Sequence, residues 1–186
     1  MAYKFERFDL KDAYLIHNFV IRDNRGLFTK YFERCIYEDE GIQFSIDETF
    51  VSMSSKNVIR GLHFQTYNPQ AKLVSVLNGR VFDVLVDLRF DSPTFGKWRG
   101  FELSVENALS LYIPRGFAHG FASLENNTIM LYQCDGKYNK ETDTGIRFND
   151  PDISVKWPID EKCAIYSTRD LKLMSLKDYK DNILKM

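Results

Sequence analysis

Cysteine and histidine are both scarce in this 186-residue chain, with three of each. Cys35, Cys134 and Cys163 are odd in number and form no C-x-x-C pair, which argues against a disulfide framework or a structural zinc site. Charge of one sign is lacking too. A net charge of −1 provides no field for nucleic acid or an anionic membrane, so any phosphate site must be a local cluster. No apolar run reaches the roughly 18–20 residues that span a bilayer. The opening M-A-Y-K-F-E-R-F-D is too charged for a secretory signal, and a cytoplasmic protein is expected. Internal repeats, low-complexity tracts and linkers are also missing, and the length suits one domain over residues 1–186.

Aromatic residues are plentiful at 15%, weighted toward the strand formers Phe and Tyr. From Phe44 onward the chain reads as successive short strands: 44–53, 58–65, 73–77, 81–88, 100–103, 109–113, 117–124 and 128–134. Asn78-Gly79 between two alternating apolar runs predicts a hairpin. Phe19–Ile21 and Leu27–Phe32 predict two further strands around the turn R-D-N-R-G. Helix is expected only over Glu33–Glu40, stopped by Gly41, and over Ser175–Leu184, with Leu176, Tyr179 and Ile183 on one side. This pattern predicts an antiparallel all-β sandwich or barrel.

The stretch V-I-R-G-L-H-F-Q places His63 and Gln65 on one strand face. A histidine within an apolar strand must satisfy its ring nitrogens, and Arg60 and Lys72 nearby suit an anionic ligand. His119 lies among Phe117 and Phe121, and taken alone reads as a satisfied core histidine, while His17 is expected at the surface. Asp83 and Asp87 flank Leu85 on one face, and an aspartate in an apolar strand needs a partner, so at least one should meet a histidine or an arginine. Tyr132 shares a face with Cys134, and a phenol can donate a proton where a histidine has removed one. Metal ligation is disfavoured, since Gln65 stands where an H-x-H motif would put its second ligand.

Seven ordered blocks then carry a specific likeness: R-G-L-H-F-Q, Q-A-K-L-V, G-R-V-F-D-V-L-V-D-L-R, D-S-P-T-F-G-K-W, L-Y-I-P-R-G-F-A-H-G-F, L-Y-Q-C-D-G-K-Y and G-I-R-F-N-D-P-D-I-S-V-K-W-P. From about Phe19 to Asp170 the chain resembles the dTDP-4-dehydrorhamnose 3,5-epimerase family. The resemblance implies a cupin-type jelly roll with a few short helices, free of metal and cofactor, working as a homodimer with strands exchanged between subunits. It also implies epimerisation of a nucleotide-diphospho-4-keto-6-deoxy sugar at C3 and C5, with relatives that act on other keto sugars, heptoses included. Carried over by position, it makes His63 the base, Asp170 its orienting carboxylate, Lys72 the stabiliser of the enolate and Tyr132 the acid on the far face. Arg25 and Arg60 would hold the diphosphate, and His119 with Asp83 would form a supporting pair at the pocket. Phe28 and Tyr138 would lie near the nucleoside and sugar, with Glu48 and Gln65 completing the binding set.

Two features of the sequence sit uneasily with that assignment. Simple alternation sends Arg60 and His63 to opposite faces, unless Gly61 breaks the pleat or the ligand wraps over a barrel rim. Where the family usually reads Q-D-N, this chain has E-T-F at Glu48–Phe50, so an aromatic replaces an amide in the expected pocket lining.

Overall fold

In the computed structural model, which describes residues 2–183, the apolar alternation resolves into two facing antiparallel sheets. The strands are β1 (Lys4–Arg7), β2 (Tyr14–His17), β3 (Phe19–Asp23), β4 (Gly26–Lys30), β5 (Glu48–Ser54), β6 (Ile59–Gln65) and β7 (Ala71–Asn78). They continue with β8 (Arg80–Asp87), β9 (Trp98–Ser104), β10 (Leu109–Ile113), β11 (Phe117–Ser123), β12 (Thr128–Asp135) and β13 (Asp143–Gly145). Three short helices, α1 (Arg34–Asp39), α2 (Thr168–Leu171) and α3 (Leu176–Ile183), complete the regular structure with a 3-10 turn at Glu161–Cys163. One sheet has six strands in the order β1-β2-β10-β7-β12-β5, and the other five in the order β13-β6-β11-β8-β9. This is the all-β, jelly-roll arrangement of a cupin. The strands β3 and β4 form a third, two-stranded sheet.

The core between the sheets takes alternate residues from each: Val74, Val76, Leu111, Ile113, Met130 and Tyr132 from one, Val81, Leu85, Leu103, Phe117 and Phe121 from the other. The outer faces are covered as well. Tyr37 of α1, Ile42 and Phe44 close over Tyr14, Ile16, Leu73 and Tyr112, while Ile146, Ile153 and Leu176 of α3 close over Leu62, Val84, Val86 and Ala118. Both faces being dry explains why all seven residues of β11 are buried. Among the described residues no helix is long and apolar enough to cross a membrane.

Three expectations need correction. Asn78-Gly79 does not close a hairpin, because β7 pairs with β10 and β12 whereas β8 pairs with β11 and β9. The turn instead passes the chain from one sheet to the other. Gly79 has φ +75°, and a Cβ there would stand 2.6 Å from Thr128 Oγ1 and 3.1 Å from its Cα, so glycine is required by a close approach as well as by the turn. The strand expected from Phe44 begins only at Glu48, since Phe44 is drawn into the outer core. The short elements β13 and α2 lie where no element was expected. The expected C-terminal helix is present as α3, and its predicted end at Leu184 lies outside the described residues.

Candidate active site

Between the sheets opens a cavity of about 630 Å³. Arg60 and His63 of β6 with His119 of β11 furnish the five-stranded wall, and Lys72 of β7, Tyr132 of β12 and Glu48, Phe50 and Ser52 of β5 furnish the six-stranded wall. Asp170 of α2, Tyr138 from the connection into β13 and Asp143 of β13 close the rim.

Arg60 and His63 reach one cavity because β6 is bulged. His119 pairs with His63 and Phe121 with Arg60, so three steps along β6 match two along β11. The extra residue reverses the phase of the pleat. The irregularity falls at Gly61, with φ +136° and a cis peptide to Leu62, where a Cβ would stand 2.5 Å from Gly120 Cα. Of the two explanations open at the sequence level, the broken pleat is the one observed.

His63 Nε2 lies 2.8 Å from Asp170 Oδ1. Donation from Nε2–H to the carboxylate leaves the imidazole lone pair on Nδ1. Asp170 arrives on the first turn of α2, where Ser167 caps the helix by accepting from Asp170 N at 3.0 Å. Burial alone would raise the Asp170 pKa, but the hydrogen bond and charge of His63, together with Ser167 and the Gly61 amide, outweigh it and hold the carboxyl below its ordinary value. The Ser-x-x-Asp spacing of this cap was the one available signal for α2 in the sequence.

His119 makes a second pair, with Nε2 2.9 Å from Asp83 Oδ2. His119 lines the cavity, but Asp83 does not: it is fully buried behind the imidazole, where burial pushes its carboxyl up against the opposing pull of His119 and Lys72. Asp87 satisfies the other expected pairing through Arg89, Ser92 and Thr94, away from the cavity. Lys72 is partly exposed, and burial lowers the pKa of its ammonium, opposed by Cys134, Asp143 and Asp83. Tyr132 is 8% exposed, and burial pushes its phenol well above its ordinary value, so it stays protonated at neutral pH.

Gln65 and Glu48 line the cavity with their polar ends already engaged. Gln65 Nε2 donates to Asn68 O and Lys137 O while its Oε1 accepts from Asn139 N, and Glu48 accepts from Tyr138 N and Gln70 Nε2. Both therefore brace the loop that presents Tyr138. Tyr138 Oη donates to Asp143 Oδ2 at 3.0 Å, and Arg169 Nη2 donates to the same oxygen at 2.8 Å. Neither Asp143 nor Arg169 carried a sequence signal for this place. Arg60 is steered by Ser54 Oγ at 3.1 Å.

Arg25 and Phe28 are not brought to this cavity. Arg25 lies in the β3–β4 turn, its side chain 84% exposed and paired with Asp23 at 2.6 Å, and Phe28 is exposed on β4. His17 is partly exposed at the end of β2, against Glu6. Among the described residues no three His, Cys, Asp or Glu side chains gather as a metal ion would need.

The family model described as dTDP-4-dehydrorhamnose 3,5-epimerase matches residues 7–178. The chain belongs to this family. It is similar to the dTDP-4-dehydrorhamnose 3,5-epimerase of Methanothermobacter thermautotrophicus, 43% identical over 158 residues that cover 85% of each chain. Among solved structures it resembles the dTDP-4-dehydrorhamnose 3,5-epimerase of Elizabethkingia anophelis, with 45% identity, a TM-score of 0.89 and coverage of 95% of this chain and 97% of that one. It likewise resembles the dTDP-6-deoxy-D-glucose-3,5-epimerase of Legionella pneumophila solved with dTDP-4-keto-L-rhamnose, with 38% identity, a TM-score of 0.90 and coverage of 94% and 93%.

Proposed function

We propose that this family member epimerises dTDP-4-dehydro-6-deoxy-D-glucose at C3 and C5 to give dTDP-4-dehydro-L-rhamnose, in the cytoplasm and without metal or cofactor. The observation that carries the reading is the furnishing of one cavity from two walls: an imidazole backed by a carboxylate on one sheet, a protonated phenol and an amine on the other.

The ketone at C4 acidifies the hydrogens on C3 and C5. His63 takes such a proton on its free ring nitrogen, and the C–H electron pair moves through the new C=C bond onto the ketone oxygen. Asp170 stabilises the imidazolium that results, and Lys72 stabilises the developing oxyanion. Tyr132 then delivers a proton to the opposite face of the carbon as the ketone re-forms. Solvent restores the phenol and discharges the imidazolium, and the cycle repeats at the second carbon.

Arg60 serves the diphosphate from within the chain. The β3–β4 hairpin, with Arg25 and the exposed apolar Ile21 and Phe28, serves the cavity of a second copy; its strands form a two-stranded sheet apart from the two sheets that wall the cavity. The working unit is accordingly a homodimer.

Incubating the protein with the keto sugar in heavy water tests the reading. Deuterium should enter at both C3 and C5, and His63→Ala should slow its entry by about 10²–10⁴-fold. Label at C3 alone would reduce the activity to a single epimerisation, and no label from the intact protein would refute catalysis. Chelation should leave the rate unchanged.

A further inference from the structure

On the six-stranded wall, the aromatic that replaces the family's usual amide meets the phenol directly. Phe50 and Tyr132 are cross-strand partners of β5 and β12, and their rings stack with centroids 4.7 Å apart and planes 13° from parallel. On the other side the His119 ring approaches the phenol edge-on at 6.1 Å and 71°, itself held by Asp83. Hydrogen bonding does little to aim the hydroxyl: Ser52 Oγ is 3.4 Å from Tyr132 Oη, and the other contact, Met130 Sδ, is 3.8 Å away. Both contacts are at the long end of what counts as a hydrogen bond. Ring packing is therefore what fixes the phenol, and the exposed half of that packing is Phe50, 47% exposed on an edge strand.

We infer that Phe50 is a positioning residue for the far-face protonation, holding Tyr132 so that its hydroxyl meets the enolate carbon. The inference rests on the function proposed above. Once His63 holds the abstracted proton, the enolate has two fates. Tyr132 can give its proton to the far face of the carbon, the C=C pair of the enolate forming the new C–H bond as the oxyanion re-forms the ketone and the O–H pair stays on the phenolate, which inverts the carbon. Alternatively the imidazolium, after exchanging its proton with solvent, returns one to the face it came from, which labels the carbon without inverting it. A phenol that wanders loses the first race and leaves the second untouched.

The experiment is the heavy-water incubation with dTDP-4-dehydro-6-deoxy-D-glucose, reading separately total deuterium uptake and the ratio of inverted to uninverted labelled sugar. Phe50→Leu should lower that ratio about tenfold, the upper range for losing one aromatic pair, with total uptake within about twofold of the unsubstituted protein. Phe50→Tyr, which keeps a ring in the stack, should restore it. Phe50→Met gives the same comparison should the leucine variant fold poorly. An unchanged ratio in Phe50→Leu or Phe50→Met overturns the inference, as does a parallel fall in ratio and uptake, which is what general damage would cause. No uptake by the unsubstituted protein brings down the proposed function instead, and this inference with it.

Discussion

Replacing Asp170 with asparagine removes a charge and almost no volume, which isolates the electrostatic part of the proposed mechanism. His63 Nε2 and Asp170 Oδ1 are 2.8 Å apart, and the carboxylate side chain is 5% exposed against 28% for the imidazole. With charge centres at about 4 Å and an effective dielectric near 20, the attraction between an imidazolium and this carboxylate is about 4 kcal/mol. Solvent at the imidazole screens part of it, leaving about 2–4 kcal/mol. Because the imidazolium exists only once the carbon has been deprotonated, that energy belongs to the barrier, and its loss corresponds to roughly 30- to 10³-fold in rate. An amide can still accept from Nε2–H through its oxygen. Its nitrogen then faces donors, among them the Gly61 amide, that the carboxylate accepts from. Asp170→Asn should therefore slow deuterium entry at C3 and C5 by that factor while the protein stays folded by circular dichroism. A rate within about threefold of the unsubstituted protein would show that the carboxylate does not assist the base.

Four further outcomes follow from the geometry. Lys72→Met should cost about 10²–10³-fold in turnover, as loss of an oxyanion-stabilising group does, yet leave Tm unchanged or raised, since a partly desolvated ammonium is replaced by an apolar chain; enzyme kinetics and calorimetry read the two separately. Burial acts to raise the Asp87 pKa, but the hydrogen bonds from Arg89, Ser92 and Thr94 win and hold it down, as those to Asp170 do there. Both groups thus contribute stability that is present above the unfolded carboxyl pKa of about 3.9 and is lost as pH falls through their lower folded values, so Tm should hold above about pH 5 and drop below about pH 4. Asp87→Ala strands five donor groups of Arg89, Ser92 and Thr94 and should cost about 3–5 kcal/mol, or on the order of 10 °C in Tm by thermal melts at pH 7. Gly61→Ala forces a Cβ to 2.5 Å from Gly120 Cα at a φ of +136°, and should abolish activity and lower Tm by displacing β6 from β11.

Much of this architecture was legible in the sequence because strands announce themselves by alternation and turn residues. What alternation cannot supply is which strands become neighbours. Asn78-Gly79 has the local chemistry of a hairpin, yet the energy that decides pairing lies in the two cores, and they place β7 and β8 in different sheets. The same limit hid the shared cavity of Arg60 and His63, which depends on a one-residue slip opposite β11. Asp170 stands in the sequence only as one more carboxylate that could partner a histidine, its role comes from family likeness, and no periodicity marks it, since four residues of helix are too few to show one. Arg25 and Phe28 belong to a hairpin that forms a sheet of its own, away from the cavity, and no local pattern in the sequence shows that separation.

The two imidazole–carboxylate pairs are anchored very differently. Asp83 is part of a central strand, whereas Asp170 reaches β6 from 107 residues further along, on one turn of helix held between two isolated parallel bridges, Val58–Ile165 before it and Ile146–Met174 after it, with a serine cap, the Arg169–Asp143 ion pair and a Tyr166–Phe148 ring contact. Detaching such a segment breaks few contacts, so it opens at a lower free energy than the sheets melt. Mild denaturant should accordingly silence the enzyme while the barrel still gives a native spectrum, and the amides of residues 165–171 should exchange with solvent ahead of those of β8 and β11.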